Sequence, residues 1–366
     1  MARWRRITGV AGLVVGAVAA GTGAVIAAEK IAVGRQRLEP DPEAAEPLGE
    51  LRGAALTVLA DDGVPLHAEI NGPDDAPVTV IFCHGYALNQ DCWHYQRRDL
   101  GGIGRLVFWD QRGHGRSGRS GPEHVSVDQL GADLYAVLAA VAPGAGPVVL
   151  VGHSMGGMTI MALADQCPGL FGSKVIGIVL ISTAASGIDP TCWLPGPLQP
   201  VARQVAAPLL RGVARGRRAA LVERGRQAAG DLVFLGTKYI GFGDAQTSPA
   251  LVDFLERMIR ATPVGVIADF FETLRDHDKE DVQDVLGRVP VVVIAGERDR
   301  IVPPELTGRL AAEIPGARLV SLPGAGHVVI LERPAEVNEA ITSLVAAAAA
   351  GPSANGRAGR RRRARR

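Results

Sequence analysis

Gly152-His153-Ser154-Met155-Gly156 lies between an apolar run at 147–151 (PVVLV) and a helix-like stretch at 157–165 (GMTIMALAD). Strand, sharp turn and helix form the setting in which a G-x-S-x-G pentapeptide carries chemical meaning. Glycines at both ends let backbone pass close to a strained serine and leave its hydroxyl clear of the sheet. The serine then stands at a helix N-terminus, where free N–H groups and the helix dipole favour developing negative charge. A glycine-rich turn that merely contains a serine would look the same over five residues. The two readings separate on whether partner residues follow.

Partner residues do follow. Residues 290–295 (PVVVIA) read as a buried strand running into Gly296-Glu297-Arg298-Asp299-Arg300-Ile301-Val302-Pro303. Residues 317–322 read as another strand, ending in Pro323-Gly324-Ala325-Gly326-His327. The chain order is therefore Ser154, Asp299, His327, with acid and base each on a loop after a strand. Catalytic groups collect at the carboxyl ends of strands in open α/β sheets, and Ser…Asp…His is the chain order of one particular fold. A serine hydroxyl needs a base within reach. Histidine suits that work because its ordinary pKa lies near neutrality, and an acid beside it fixes the imidazole tautomer. Glu297, two residues from Asp299, is the rival for the acid role. Upstream, the strand at 78–83 leads into His84-Gly85-Tyr86-Ala87, a candidate oxyanion loop. The strand at 105–109 leads into Asp110-Gln111-Arg112-Gly113-His114-Gly115-Arg116-Ser117-Gly118.

On these motifs the chain resembles the α/β-hydrolase superfamily, most of all its serine esterase, lipase and cofactor-free haloperoxidase branch. The resemblance runs from about Leu56 to Val345 and rests on five motifs in the expected order. It implies an α/β-hydrolase fold: a mainly parallel eight-stranded sheet, helices on both faces, and a helical cap inserted after the sixth strand. It implies a serine hydrolase that cleaves a small-molecule carboxylic ester, lipid-like or with a small acyl group, through an acyl-enzyme, with no cofactor and no metal. The catalytic residues would be Ser154, Asp299 and His327. The oxyanion donors would be the backbone N–H groups of Tyr86 and Met155, supported by His84, Gly85, Gly152, His153 and Gly156. Asp110, Arg112 and His114 would form a structural turn. Two other readings stay open. One keeps the triad but lets peroxide or another acceptor take the acyl group, as in a haloperoxidase, perhydrolase or acyltransferase. The other, of a different class, is a small-molecule receptor or scaffold with slow turnover.

Composition supports a large aliphatic core. Of 366 residues 47% are hydrophobic and 21% charged, while aromatics make up only 4% and glycines number 46. The net charge of +1 hides an uneven distribution, since seven of the last ten residues and three of the first six are arginine. The body between them is acidic, which argues against nucleic acid as a partner of the core. The four cysteines (Cys83, Cys92, Cys167, Cys192) show no metal-ligand spacing, although a Cys83–Cys92 bridge is conceivable. His277, flanked by Asp276 and Asp278, reads as a metal ligand or as part of a solvated helix start. Trp93, Met158 and Phe234 are candidates for the acyl pocket or for plain core packing.

Apolar runs bounded by turn residues place strands at 55–60, 66–70, 78–83, 105–109, 148–152, 175–181, 291–295 and 317–322. The first two suit an antiparallel hairpin around Asp61-Asp62-Gly63. Helical patterns at 127–141 and 304–314 alternate with the rest, which implies crossovers over a parallel sheet. From 183 to about 281 this alternation stops and the pattern turns helical, with prolines at 195, 197, 200 and 208. The expected organisation is an N-terminal anchor or signal (1–30), a linker (31–53), hydrolase core (54–183), cap (184–281), core again (282–346) and an arginine-rich tail (347–366). Residues 7–28 form an uncharged apolar stretch of 22 residues, long enough to span a bilayer. This predicts a membrane-anchored protein with its catalytic domain outside the cytoplasm, or a secreted one after signal cleavage. The arginine-rich tail suits anionic lipid or nucleic acid, or simply a solubilising end.

Overall fold

The computed structural model describes residues 41–187 and 230–350, apart from positions 143, 145 and 245. Eight strands form one sheet: β1 (Ala54–Leu59), β2 (Pro65–Asn71), β3 (Thr79–Cys83), β4 (Arg105–Trp109), β5 (Val148–His153), β6 (Val175–Ile181), β7 (Val291–Gly296) and β8 (Arg318–Leu322), in the order β1-β2-β4-β3-β5-β6-β7-β8. β1 and β2 pair antiparallel, with Ala54 opposite Ile70, and β2 pairs antiparallel with β4. Every later pairing is parallel.

The central strands are almost uninterrupted runs of buried residues, the pattern of strands covered on both faces. Their side chains alternate between two apolar clusters. Ile81, Val107, Leu150, Leu180 and Val293 face one cluster, and Phe82, Phe108, Val151, Ile181 and Ile294 the other. Helices α2 (Val127–Val141) and α3 (Met155–Gln166) cover the first face. Helices α1 (His94–Asp99) and α8 (Pro334–Ala349) cover the second. Between β6 and β7 the described chain is helical: α4 (Gly230–Gly241), α5 (Pro249–Ala261) and α6 (Val264–Arg275). Helix α7 (Pro304–Glu313) then links β7 to β8.

The sheet order fixes where a site belongs. From β3 the chain steps to β4 on one side, and β5 pairs on the other. That reversal opens a crevice at the carboxyl ends of β3 and β5. The strands end there in Cys83 and His153, immediately before the His84 loop and Ser154.

Several expectations need correction. Residues 41–53 do not form a free linker but dock on the core. Leu48 is buried, Glu46 accepts a hydrogen bond from His94 at 2.8 Å, and Tyr95 Oη donates to Glu43 at 2.6 Å. Asp41 reaches helix α5, where the Ala250 N–H donates to its carboxylate at 3.0 Å. Cys83, Cys92 and Cys167 are free thiols, so the conceivable Cys83–Cys92 bridge is not formed. The apolar stretch at 7–28, Cys192, the four prolines at 195–208, the Phe234 side chain and the arginine cluster lie outside the described residues. Among the described residues no helix is long and apolar enough to cross a membrane.

Candidate active site

Ser154 caps helix α3 with φ 53° and ψ −119°. Such a backbone is costly for a residue with a Cβ and persists only where the surroundings over-determine it. Here they do. The Ser154 N–H donates to the Ile181 carbonyl at 2.9 Å, and its own carbonyl accepts from the Gly157 N–H at 2.9 Å. The turn also needs Gly156, because a Cβ there would sit 2.0 Å from the Cys83 carbonyl oxygen. Among the described residues three non-glycines have positive φ, namely Ala87, Ser154 and Ser182. All three follow the carboxyl ends of neighbouring strands and so surround one crevice.

The loops that carry Asp299 and His327 meet at the same place. Asp299 is buried, and its Oδ1 accepts from the Ile301 and Val302 N–H groups at 2.8 and 2.9 Å. Its Oδ2 lies 2.8 Å from His327 Nδ1. Because both amides can only donate, the carboxylate is held with its second oxygen aimed at the imidazole. Glu297 is exposed and instead accepts from Ser321 Oγ at 3.0 Å. The geometry therefore pairs His327 with Asp299 and not with Glu297.

Ser154 and His327 line one cavity of about 370 Å³, together with Gly85, Tyr86 and His153 of the core. The remaining walls come largely from between β6 and β7: Thr237 and Ile240 on α4, Leu255 and Ile259 on α5, Ile267 on α6. The described lining contains no Asp, Glu, Lys or Arg, so it suits an uncharged, mostly apolar ligand. Trp93 and Met158 do not line it. Both are buried core residues, with Trp93 edge-on to Phe82.

Three further histidines are structural, and their tautomers follow from their partners. His84 Nε2 accepts from the Gln111 N–H at 2.9 Å, so Nδ1 carries the proton and donates to the Gly85 carbonyl at 2.8 Å. His114 Nε2 accepts from the Ala87 N–H at 3.2 Å, and its Nδ1 donates to the Arg112 carbonyl. His153 Nε2 donates to the His327 carbonyl at 3.0 Å. Burial pushes His84 down to about 4 and His114 and His153 to about 3. All three are neutral near pH 7 and hold loops. Gly85 lets its loop approach, since a Cβ there would meet His153 Nδ1 at 2.8 Å and Ser154 Cβ at 3.3 Å. Gly152 packs equally close to the backbone of Gly156 and Gly157.

Among the described residues neither the Tyr86 nor the Met155 N–H donates to a backbone carbonyl outside the helices and strands. Met155 opens helix α3, whose first N–H groups have no partner within the helix. The Asp110 turn is structural, as the sequence suggested. Asp110 accepts from the Gln90 and Arg116 N–H groups, and Arg112 grips Asp133 through two bonds of 2.6 Å and Asp62 at 2.8 Å.

One positioning group was not legible in the sequence. Glu332 accepts from the Gly326 N–H at 2.7 Å, the Gly243 N–H at 3.0 Å and the Asp244 N–H at 3.3 Å. It thereby ties the His327 loop to the segment after α4. No local pattern marks such a residue. His277 is also corrected: it is buried after α6, not part of a solvated helix start, and burial lowers it to about 4. Among the described residues no cluster of His, Cys, Asp or Glu could hold a metal.

A sequence model of the alpha/beta hydrolase family matches residues 80–340, and the chain belongs to that family. It is a hydrolase. A bifunctional esterase/perhydrolase of Acinetobacter calcoaceticus is 28% identical over 301 residues, covering 79% of this chain and 98% of that one. A non-heme haloperoxidase of Rhodococcus erythropolis is 28% identical over 272 residues, covering 73% and 91%. The crystal structure of the enol-lactonase from Burkholderia xenovorans superposes with a TM-score of 0.62 at 23% identity, covering 80% of this chain and 100% of that one. That likeness supports the fold.

Proposed function

We propose that this hydrolase cleaves uncharged carboxylic esters through an acyl-Ser154 intermediate. His327 takes the serine proton and returns it to the departing alcohol, and Asp299 holds the imidazole and stabilises its cation. The Tyr86 and Met155 N–H groups receive the oxyanion of the tetrahedral intermediate. Water, activated by His327, then releases the acid. The stretch between β6 and β7 serves as the cap that shapes the acyl pocket and limits water. The observation that carries this reading is the Asp299–His327 bond of 2.8 Å beside a strained serine, in a cavity whose described lining contains no Asp, Glu, Lys or Arg.

The test is turnover of p-nitrophenyl esters of graded chain length. We expect Ser154-dependent hydrolysis that favours aliphatic acyl chains over charged ones. Retained turnover by Ser154→Ala would overturn the reading. The esterase/perhydrolase relative favours one second reading, in which hydrogen peroxide replaces water and yields a peracid. Measuring peracid formation from acetate and peroxide alongside ester hydrolysis separates the two. The apolar stretch at 7–28 supports membrane attachment of the full chain, which sedimentation with membranes after alkaline extraction would test.

A further inference from the structure

We infer that the cap sets the position of the oxyanion donor: the Thr262 hydroxyl and the Tyr86 phenol latch the 84–88 loop to the helices above it, making both positioning residues for the Tyr86 N–H. This rests on the serine-hydrolase reading of the site.

The loop is anchored from two directions. Its first half belongs to the core. Gln111 donates from its backbone to His84 Nε2 and from its side chain to the His84 carbonyl at 2.6 Å. The same Gln111 accepts from Thr159 Oγ1 at 2.6 Å, and Thr159 lies on the helix that begins after Ser154. His84 and Gly85 are therefore tied to the nucleophile's own helix.

The second half is held largely from above. Tyr86 Oη donates to the Ile267 carbonyl on α6. Thr262, the buried residue that closes α5, donates from Oγ1 to the Ala87 carbonyl at 3.0 Å, closer than the Met258 carbonyl at 3.4 Å. Ala87 has φ 58°, a conformation that costs a β-carbon residue free energy and needs restraint on both sides. His114 supplies one restraint, through the Ala87 N–H, and Thr262 supplies the other. The donor peptide between Gly85 and Tyr86 lies where the core and cap anchorages meet. Releasing the cap latches lets Ala87 relax toward negative φ, which frees the preceding residue and lets the Tyr86 N–H turn away from the oxyanion.

The test uses the full chain with Thr262→Val, Thr262→Ser and Tyr86→Phe. Active sites are titrated with a fluorophosphonate, so kcat is counted per competent molecule. The readouts are kcat, KM and the inhibition constant of an alkylboronic acid, whose tetrahedral adduct on serine places an oxygen in the oxyanion hole. Thr262→Val and Tyr86→Phe should lower kcat about tenfold or more, short of the 10²–10³ lost when a donor is removed outright. Boronate binding should weaken by a similar factor while KM stays within about twofold, because ground-state binding does not use the oxyanion donor. Thr262→Ser keeps the hydroxyl and should restore both constants. Unchanged kcat and boronate affinity in Thr262→Val and Tyr86→Phe, or equal losses in Thr262→Ser, would overturn the inference. Turnover that survives in Ser154→Ala would instead sink the underlying reading, so the two failures are distinct.

Discussion

Asp299→Asn is the substitution whose outcome the geometry specifies most closely. Oδ1 of Asp299 accepts from two backbone N–H groups, at Ile301 and Val302. Asparagine can satisfy both only by placing its carbonyl oxygen there. Its NH₂ group then occupies the position of Oδ2 and faces His327 Nδ1, now 2.8 Å from an acceptor. Two donors cannot share a hydrogen bond, so the imidazole must carry its proton on Nε2. That nitrogen then has no lone pair to receive the serine proton. Loss of the correct tautomer costs about 10⁴ in kcat in a serine protease triad, or ~5.4 kcal/mol at 1.36 kcal/mol per decade. The same asparagine keeps both amide contacts, so the fold should survive. The assay is steady-state ester hydrolysis at pH 7.5 with sites counted by fluorophosphonate, beside Glu297→Gln as comparison. The Glu297 carboxylate is exposed and accepts from the Ser321 hydroxyl, so its variant should stay within about twofold, as surface substitutions generally do. Asp299→Asn within tenfold of the parent, or a larger loss in Glu297→Gln, would refute the assignment of the acid.

Other outcomes follow from the same contacts. Gly156→Ala places a Cβ 2.0 Å from the Cys83 carbonyl oxygen, a backbone clash that must push α3 off the sheet. Overpacking of this kind costs about 1–3 kcal/mol, so calorimetry should show Tm lowered by several degrees, at about 2–4 °C per kcal/mol for a large domain. An unchanged Tm and full site titre would contradict the close packing. Stability should also fall as pH drops below the unfolded histidine pKa. His84, His114 and His153 are neutral in the fold down to about 4, 3 and 3, whereas the unfolded chain protonates them at about 6.5. Between those limits the unfolded state binds more protons, so acid favours it, by up to about 4 kcal/mol per pH unit for three such groups. Urea midpoints at pH 7.5 and 5 check this, and an equal or higher midpoint at pH 5 would contradict it.

Much of this arrangement was legible because burial writes itself into sequence. The central strands carry long branched runs such as 148–151 and 291–294, and Arg105–Trp109, Val127–Val141 and Val175–Ile181 were bounded without error. Elsewhere the ends moved by a residue or two, as where β5 extends to His153 and α7 stops at Glu313. Ser154 and Asp299 of the proposed triad were legible because each follows such a strand, whereas His327 follows the mostly exposed edge strand β8 and was legible from the chain order and its Pro-Gly turn. What escaped depends on contacts between distant segments. The His153 ring binds a carbonyl 174 residues away, and Glu332 fastens two loops through backbone N–H groups that have no side-chain signature. The pocket walls escaped for a similar reason. Ile240, Leu255 and Ile267 belong to amphipathic helices whose apolar stripe looks the same whether it faces core or cavity. Trp93 and Met158 seemed eligible by size, yet the sheet face claimed them. Residues 41–53 looked like a linker by composition, but Glu43 and Glu46 find partners on α1.

Trapping the acyl group tests the central claim most directly. Protein mixed with a slowly deacylated ester and acid-quenched within the burst should carry the acyl mass on the peptide containing Ser154, in proportion to the p-nitrophenol released. That burst should vanish in Ser154→Ala. An acyl adduct on any other residue, or an undiminished burst in that variant, would contradict the account.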